Sequence, residues 1–282
     1  MKFCILLNIL VLFCINIYAQ KFLYERSIGE FNNATSFYIN PAGILFVTDD
    51  FTDEVYQLDT LGNLLNTIGG YGWDINAFDD PVDIYADPLT VFVTDKNNHR
   101  IQMFDKNLNF IFEFNSRESE IEEERFGYPV STVQSNQGDV IILDSENKKI
   151  LKFNLFGDFI QTIGGYDYGS YTLSDPKKLA VSMRNNIYVL DDQSIFIYDS
   201  YGTGIGNIET PEEIHSIRII FNWLSINSEE KVYITNLSGK EKKLIEVSLN
   251  GYDDEIKIVS SMIFKYKLFL LTAKNILIFS SQ

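Results

Sequence analysis

Four short apolar segments, each closing on an aspartate, recur along the chain: Leu45-Phe46-Val47-Thr48-Asp49, Val91-Phe92-Val93-Thr94-Asp95, Val140-Ile141-Ile142-Leu143-Asp144 and Ile187-Tyr188-Val189-Leu190-Asp191. The aspartates lie 46, 49 and 47 positions apart. A period of this size marks units that must stack, because each is too small to bury its own apolar face. Every segment is followed by a second strand pattern, at residues 55–58, 100–104, 150–153 and 195–198. A turn such as Asp59-Thr60-Leu61-Gly62-Asn63 or Asn154-Leu155-Phe156-Gly157-Asp158 comes next, and then a third strand pattern, as at residues 64–68 and 159–163. One more strand pattern begins 14 or 15 positions before the aspartate, marked by Pro81, Pro129 and Pro176. Four strands per unit of about 45 residues, with turn chemistry at fixed offsets, predict propeller blades.

Within the second unit, Asp95-Lys96-Asn97-Asn98-His99-Arg100-Ile101-Gln102-Met103-Phe104-Asp105 resembles the signature of an NHL repeat, and Asn147-Lys148-Lys149-Ile150-Leu151-Lys152-Phe153 is a looser copy. The resemblance runs over residues 34–208. Two degenerate units follow. Residues 221–236 align without gaps to 129–144, ending in Asn236 instead of Asp, and residues 260–282 hold only three strand patterns. A lone strand pattern at residues 22–28 can supply the missing fourth. The expected fold is therefore all-β: a six-bladed β-propeller with four antiparallel strands per blade, closed by the N-terminal strand joining the C-terminal blade. It is similar to bacterial NHL or TolB-like propellers. One domain, residues 20–282, is expected.

Ahead of it, Lys2 precedes an apolar run at residues 3–17 broken only by Asn8 and Asn16, and Ala19 offers a small cleavage residue before Gln20. This predicts a signal peptide over residues 1–19. The run falls short of the roughly 20 apolar residues that span a bilayer. A periplasmic or secreted protein is expected, with no membrane span after cleavage, and the composition rich in Asn, Ile and Tyr points to a bacterial source. Cleavage removes Lys2, Cys4 and Cys14, leaving 22 basic residues against 39 acidic ones, a net charge of −17, and no cysteine. Disulfides and thiolate chemistry are thereby excluded from the mature chain. So large an acidic excess argues against nucleic-acid binding, which depends on Lys and Arg meeting phosphates.

No catalytic, cofactor or metal constellation stands out. His99 and His215 are far apart in sequence, and no phosphate loop, EF-hand or Gly-x-Ser-x-Gly elbow is present. The turn Asp49-Asp50-Phe51-Thr52-Asp53-Glu54 is oxygen-rich enough for a weak Ca²⁺ site, and a solvated acidic turn accounts for it as well. The repeated aspartates suit a structural role, accepting backbone N–H groups two residues on. His99 and Arg100 are expected to organise their turn, with Arg100 pairing to Asp95.

Two long loops repeat each other: Thr67-Ile68-Gly69-Gly70-Tyr71-Gly72-Trp73 runs on to Pro81, and Thr162-Ile163-Gly164-Gly165-Tyr166-Asp167-Tyr168 runs on to Pro176. A third such loop, residues 115–128, carries Glu118, Glu120, Glu122, Glu123 and Glu124. Strand alternation puts all three on one face. Tyr71, Trp73, Asp74, Tyr166, Asp167 and Tyr168 are candidates for partner binding, since Tyr and Trp combine contact area with a polar tip. The alternative is that the aromatic residues fill the wedges between blades. The partner would be an envelope or extracellular protein or peptide, with a glycan as second candidate.

The innermost strands line the central channel, and the alignment puts Ser36, Asp83, Ser131, Lys178 and Trp223 in one column, completed by Ser260 or Ser261. Six-bladed lactonase-like enzymes bind Ca²⁺ at this mouth through several acidic and amide groups, whereas here Asp83 alone could serve. A non-catalytic binding module or scaffold without cofactor is the expected function. The alternative is a Ca²⁺-dependent hydrolase or lactonase at the channel mouth.

Overall fold

Burial grades outward across each repeat. Segments such as Val91-Phe92-Val93-Thr94-Asp95 are buried at every residue, because both faces of that strand meet neighbouring sheets, while the strands two places further out, such as Gly204–Glu209, alternate and face water on one side. The computed structural model describes residues 20–239 and 242–282. The expected signal peptide, residues 1–19, lies outside the described residues.

Strand β1 is Gln20–Ile28, and the first blade is β2 (Ala34–Ile39), β3 (Ile44–Asp49), β4 (Glu54–Asp59) and β5 (Leu64–Gly69). The next is β6 (Pro81–Ala86), β7 (Thr90–Asp95), β8 (Arg100–Asp105) and β9 (Phe110–Phe114), followed by β10 (Pro129–Gln134), β11 (Val140–Asp144), β12 (Lys149–Phe153) and β13 (Phe159–Gly164). A fourth blade holds β14 (Pro176–Val181), β15 (Ile187–Asp191), β16 (Ser194–Tyr198) and β17 (Gly204–Glu209). The remaining strands are β18 (Ser216–Ile220), β19 (Trp223–Asn227), β20 (Val232–Asn236), β21 (Ile245–Asn250), β22 (Ser260–Phe264), β23 (Lys267–Leu271) and β24 (Ile276–Ser281). Among the described residues the only helical turns are two 3₁₀ turns, Glu122–Glu124 and Gly169–Tyr171.

The repeat count predicts six separate antiparallel blades, and the structure corrects it. There are four four-stranded blades and one eight-stranded sheet, in the order β18-β19-β20-β21-β1-β24-β23-β22. The cause is β1, which has partners on both sides. It pairs antiparallel with β24 from Phe22↔Ser281 to Ile28↔Ile276, and its first residues pair parallel with β21, Gln20↔Val247 to Leu23↔Asn250. A strand edge left open by β21 is thereby covered. Strand periodicity contains no information on which edge a terminal strand will take.

A second correction concerns residues 221–236. The gap-free alignment makes them the first and second strands of a unit, but they are the second and third, β19 and β20, and the innermost strand is β18. The loop before β18 spans only residues 210–215, whereas the loops before β6 and β14 span 70–80 and 165–175, so the channel-lining column arrives early.

Aromatic and aliphatic residues fill the spaces between neighbouring sheets, with Phe37, Phe46, Phe78 and Phe104 fully buried in the largest cluster. At the turns between third and outermost strands, Gly62 and Gly157 take φ of 95° and 87°, a region open to glycine at little cost.

Candidate functional site

In β2, β6, β10 and β14 the pairing register shifts after the first residue, between Ala34/Ser36, Pro81/Asp83, Pro129/Ser131 and Pro176/Lys178. Such irregularities re-aim side chains, and here they precede the channel column in four successive blades. Ser36, Asp83, Ser131 and Lys178 do converge. The buried Asp83 carboxylate accepts from Ser36 Oγ at 2.9 Å and Ser131 Oγ at 2.5 Å, and lies 3.2 Å from Lys178 Nζ. Trp223 is not with them. It opens β19, half-buried, and lines a different recess with Phe221 and Tyr266.

The place expected for Trp223 is taken by Arg218 on β18, a residue the sequence reading missed. Its Nη2 lies 2.7 Å from Asp83 Oδ1 and 2.6 Å from Ser36 Oγ, and its Nε donates to Phe37 O at 3.2 Å. A lone arginine inside Ser216-Ile217-Arg218-Ile219-Ile220, buried at every residue, is the signal that could have found it. Burial pushes the Asp83 carboxyl up, but the Arg218 and Lys178 charges outweigh it and hold it at about 2. Burial, with Arg218 beside it, lowers the Lys178 pKa against the opposing pull of Asp83.

This ion cluster crosses the channel, and a second layer lies toward the opposite face. There Tyr38 and Tyr85 meet with ring centroids 4.8 Å apart, donating to Ile219 O at 3.0 Å and Gln134 O at 3.1 Å. The expected water-filled mouth is thus a recess with a closed floor. Its opening is lined by Thr35, His215, Ser216 and Ser260, which lie at or beside the starts of innermost strands.

The same face carries the long inter-blade loops. The repeated aspartates hold these loops to the following blade. Asp49 accepts from the backbone N–H of Asn32 and Asn33, Asp95 from Asp79, Asp144 from Gly127, and Asp191 from Ser174 and Asp175. The expected bond to the N–H two residues on is present at Asp49 and Asp144.

Residues 70–80 are also fixed from below by the NHL-like segment. Arg100 pairs with Asp95 at 2.7 Å and Glu113 at 3.0 Å, and donates to the carbonyls of Trp73, Asp74 and Ala77. Asn98 donates to Gly72 O and Gln102 to Ala77 O, both within 2.9 Å. His99 receives the Tyr128 N–H at Nδ1, which ties down the end of the acidic loop.

Held this way, Tyr71 and Trp73 stand 72% and 69% exposed, with Asp74 exposed beside them. Tyr166 is 80% exposed and Asp167 is also in solvent. Tyr168 is half-buried and packs its ring edge on Tyr198, so wedge filling describes this residue and not the other three aromatics. In the same loop Tyr171 packs on Phe196 and Tyr198, directly over Gly204. A Cβ at Gly204 would collide with the Tyr171 ring. Gly204→Ala is expected to cost about 1–3 kcal/mol through overpacking, read as a lower urea midpoint. An unchanged midpoint would show that the loop yields freely.

Among the described residues, no three His, Cys, Asp or Glu side chains gather into a group able to hold a metal ion. Asp83, the one carboxylate in the column, is already engaged by two cations and two hydroxyls.

No protein-family model matches the chain. Protein brain tumor of Drosophila melanogaster is 29% identical over 140 residues, covering 48% of this chain and 13% of that protein's length. Among solved structures, a selenomethionine-substituted virginiamycin B lyase from Staphylococcus aureus superposes with a TM-score of 0.63 at 10% identity, over 91% of this chain and 99% of that one. A catalytically inactive histidine-to-alanine form of that lyase with quinupristin gives 0.64 at 9% identity, over the same shares of both chains. A streptogramin B lyase gives 0.62 at 10%, over 92% and 96%. At these identities the likeness is one of fold, and the fold is a β-propeller.

Proposed function

We propose that the chain is an exported, non-catalytic binding module of NHL-like type, residues 20–282 after removal of a signal peptide, that recognises an envelope or extracellular protein or peptide through its inter-blade loop face. The observation that supports this reading is the exposure of Tyr71, Trp73 and Tyr166 on loops whose backbones are already hydrogen-bonded in place. Exposed aromatic residues on a pre-organised backbone lose little freedom on binding, so more of their contact energy becomes affinity. The carboxylates of the neighbouring acidic loop favour a cationic partner and raise its association rate.

A Ca²⁺-dependent hydrolase at the channel mouth has less support, since Arg218 and Lys178 occupy and neutralise the carboxylate it would need. The test is affinity capture from extract of the native cell envelope and medium, beside a variant carrying Tyr71→Ala, Trp73→Ala and Tyr166→Ala. These exposed substitutions are expected to change stability by within about 0.5 kcal/mol each. A partner retained by the wild type and lost by the folded variant is the expected result. Equal capture of that partner by both would refute the reading.

A further inference from the structure

The recess at the channel mouth has a charge character opposite to that of the protein as a whole. It is a cavity of about 370 Å³, lined on its polar side by Lys178, Arg218 and Lys257. Two carboxylates oppose these three cations: Asp83 in the floor, and Glu229 at the rim. One positive charge is left over, inside a chain whose acidic residues greatly outnumber its basic ones. Arg218 is only 3% exposed at its side chain, and its Nη1 makes no hydrogen bond to a described residue, while Nε and Nη2 are both engaged. That nitrogen is not a buried orphan but reaches solvent, and an anionic oxygen is a stronger acceptor for a guanidinium N–H than the water it would replace. Thr35, His215, Ser216 and Ser260 complete the polar lining, and Ile258, Val259 and Ala273 form an apolar patch of the wall.

We infer that this recess binds a small organic carboxylate, its carboxylate seated against Arg218 Nη1 and Lys257 and its apolar body against Ile258, Val259 and Ala273. Lys178, whose donors are taken by Val82 O, Val130 O and Asp83, adds only its charge. A single surplus charge matches a monoanion, and a di- or trianion would leave negative charge unpaired beside Glu229. The apolar patch favours a carboxylate with a hydrocarbon body over a bare inorganic ion. The site is separate from the aromatic loops and does not depend on them.

The test uses benzoate and its neutral isostere benzamide, titrated calorimetrically into the mature protein at low ionic strength. Benzoate is expected to bind saturably, at least tenfold more tightly than benzamide. Lys257→Glu, an exposed rim substitution that leaves the floor intact, is expected to weaken benzoate at least fivefold. Arg218→Met is expected to abolish binding, and Lys257→Glu keeps the test valid if that variant does not fold. The triple variant of Tyr71, Trp73 and Tyr166 is expected to bind benzoate as the wild type does. No saturable benzoate binding, equal binding of benzoate and benzamide, indifference to Lys257→Glu, or loss of binding in the triple loop variant would each overturn the inference.

Discussion

Asp83→Asn is expected to destabilise the protein by about 3–5 kcal/mol, because the substitution keeps the shape of the side chain and leaves Arg218 and Lys178 as uncompensated charges in a buried place. The measurement is urea unfolding at neutral pH, and a loss under about 1 kcal/mol would show that water already screens the cluster. The same carboxylate gives a pH signature. Its pKa is held at about 2, below the ordinary 3.8. The folded state therefore binds this proton less readily than the unfolded chain, and the resulting stability is present above pH 4. It is lost as the pH falls through 4 toward 2, by about 2 kcal/mol. Asp83→Asn has no such group, so its stability should fall less steeply than that of the wild type across this window. Parallel curves would contradict the assignment.

Arg100→Ala is expected to cost a similar amount, about 3–5 kcal/mol, since it abandons the fully buried Asp95 carboxylate and three loop carbonyls at once. Arg100→Lys should not restore the loss. A planar guanidinium reaches Asp95, Glu113 and three carbonyls in fixed directions, which an ammonium on a flexible stem cannot reproduce. Hydrogen exchange should rise first at residues 72, 77 and 78, whose amides bond within the loop. Full protection of these amides in the variant would mean that the loop is held by its own turns and not by Arg100.

The sequence was informative wherever chemistry repeated at a constant offset. The aspartates closing β3, β7, β11 and β15 and the column of Ser36, Asp83, Ser131 and Lys178 recur at such offsets, and their placement follows from counting along the chain. The reading failed where a connection changed length. Shortening the loop before β18 to residues 210–215 moved the column from the neighbourhood of Trp223 to Arg218, and with it the main counter-charge of Asp83. It failed again at sheet edges, since pairing of β1 with β21 is decided by where two ends of the ring meet, which no local pattern records. Exposure of Tyr71, Trp73 and Tyr166 was likewise undecided by composition, because an aromatic residue in a long loop can fill a wedge or face water. For Tyr71 and Trp73 the hydrogen bonds from Asn98 and Arg100 to Gly72 O and Trp73 O fix the backbone that presents them, and for Tyr166 the end of its loop is held by Asp191.

The eight-stranded sheet also sets the order in which the molecule can assemble. Strand β1 gains its antiparallel partner only when β24 arrives, some 250 residues later, as the pairing of Phe22 with Ser281 requires. Blades such as β6-β7-β8-β9 close over short sequence distances and can form early, while the closing sheet carries the largest loop-closure cost and must form late. Until then β1 is a long strand with two open edges, the segment most able to pair with the wrong chain. The last step of folding is therefore the one that removes the principal route to aggregation, and truncation at β24 should be felt first as lost solubility.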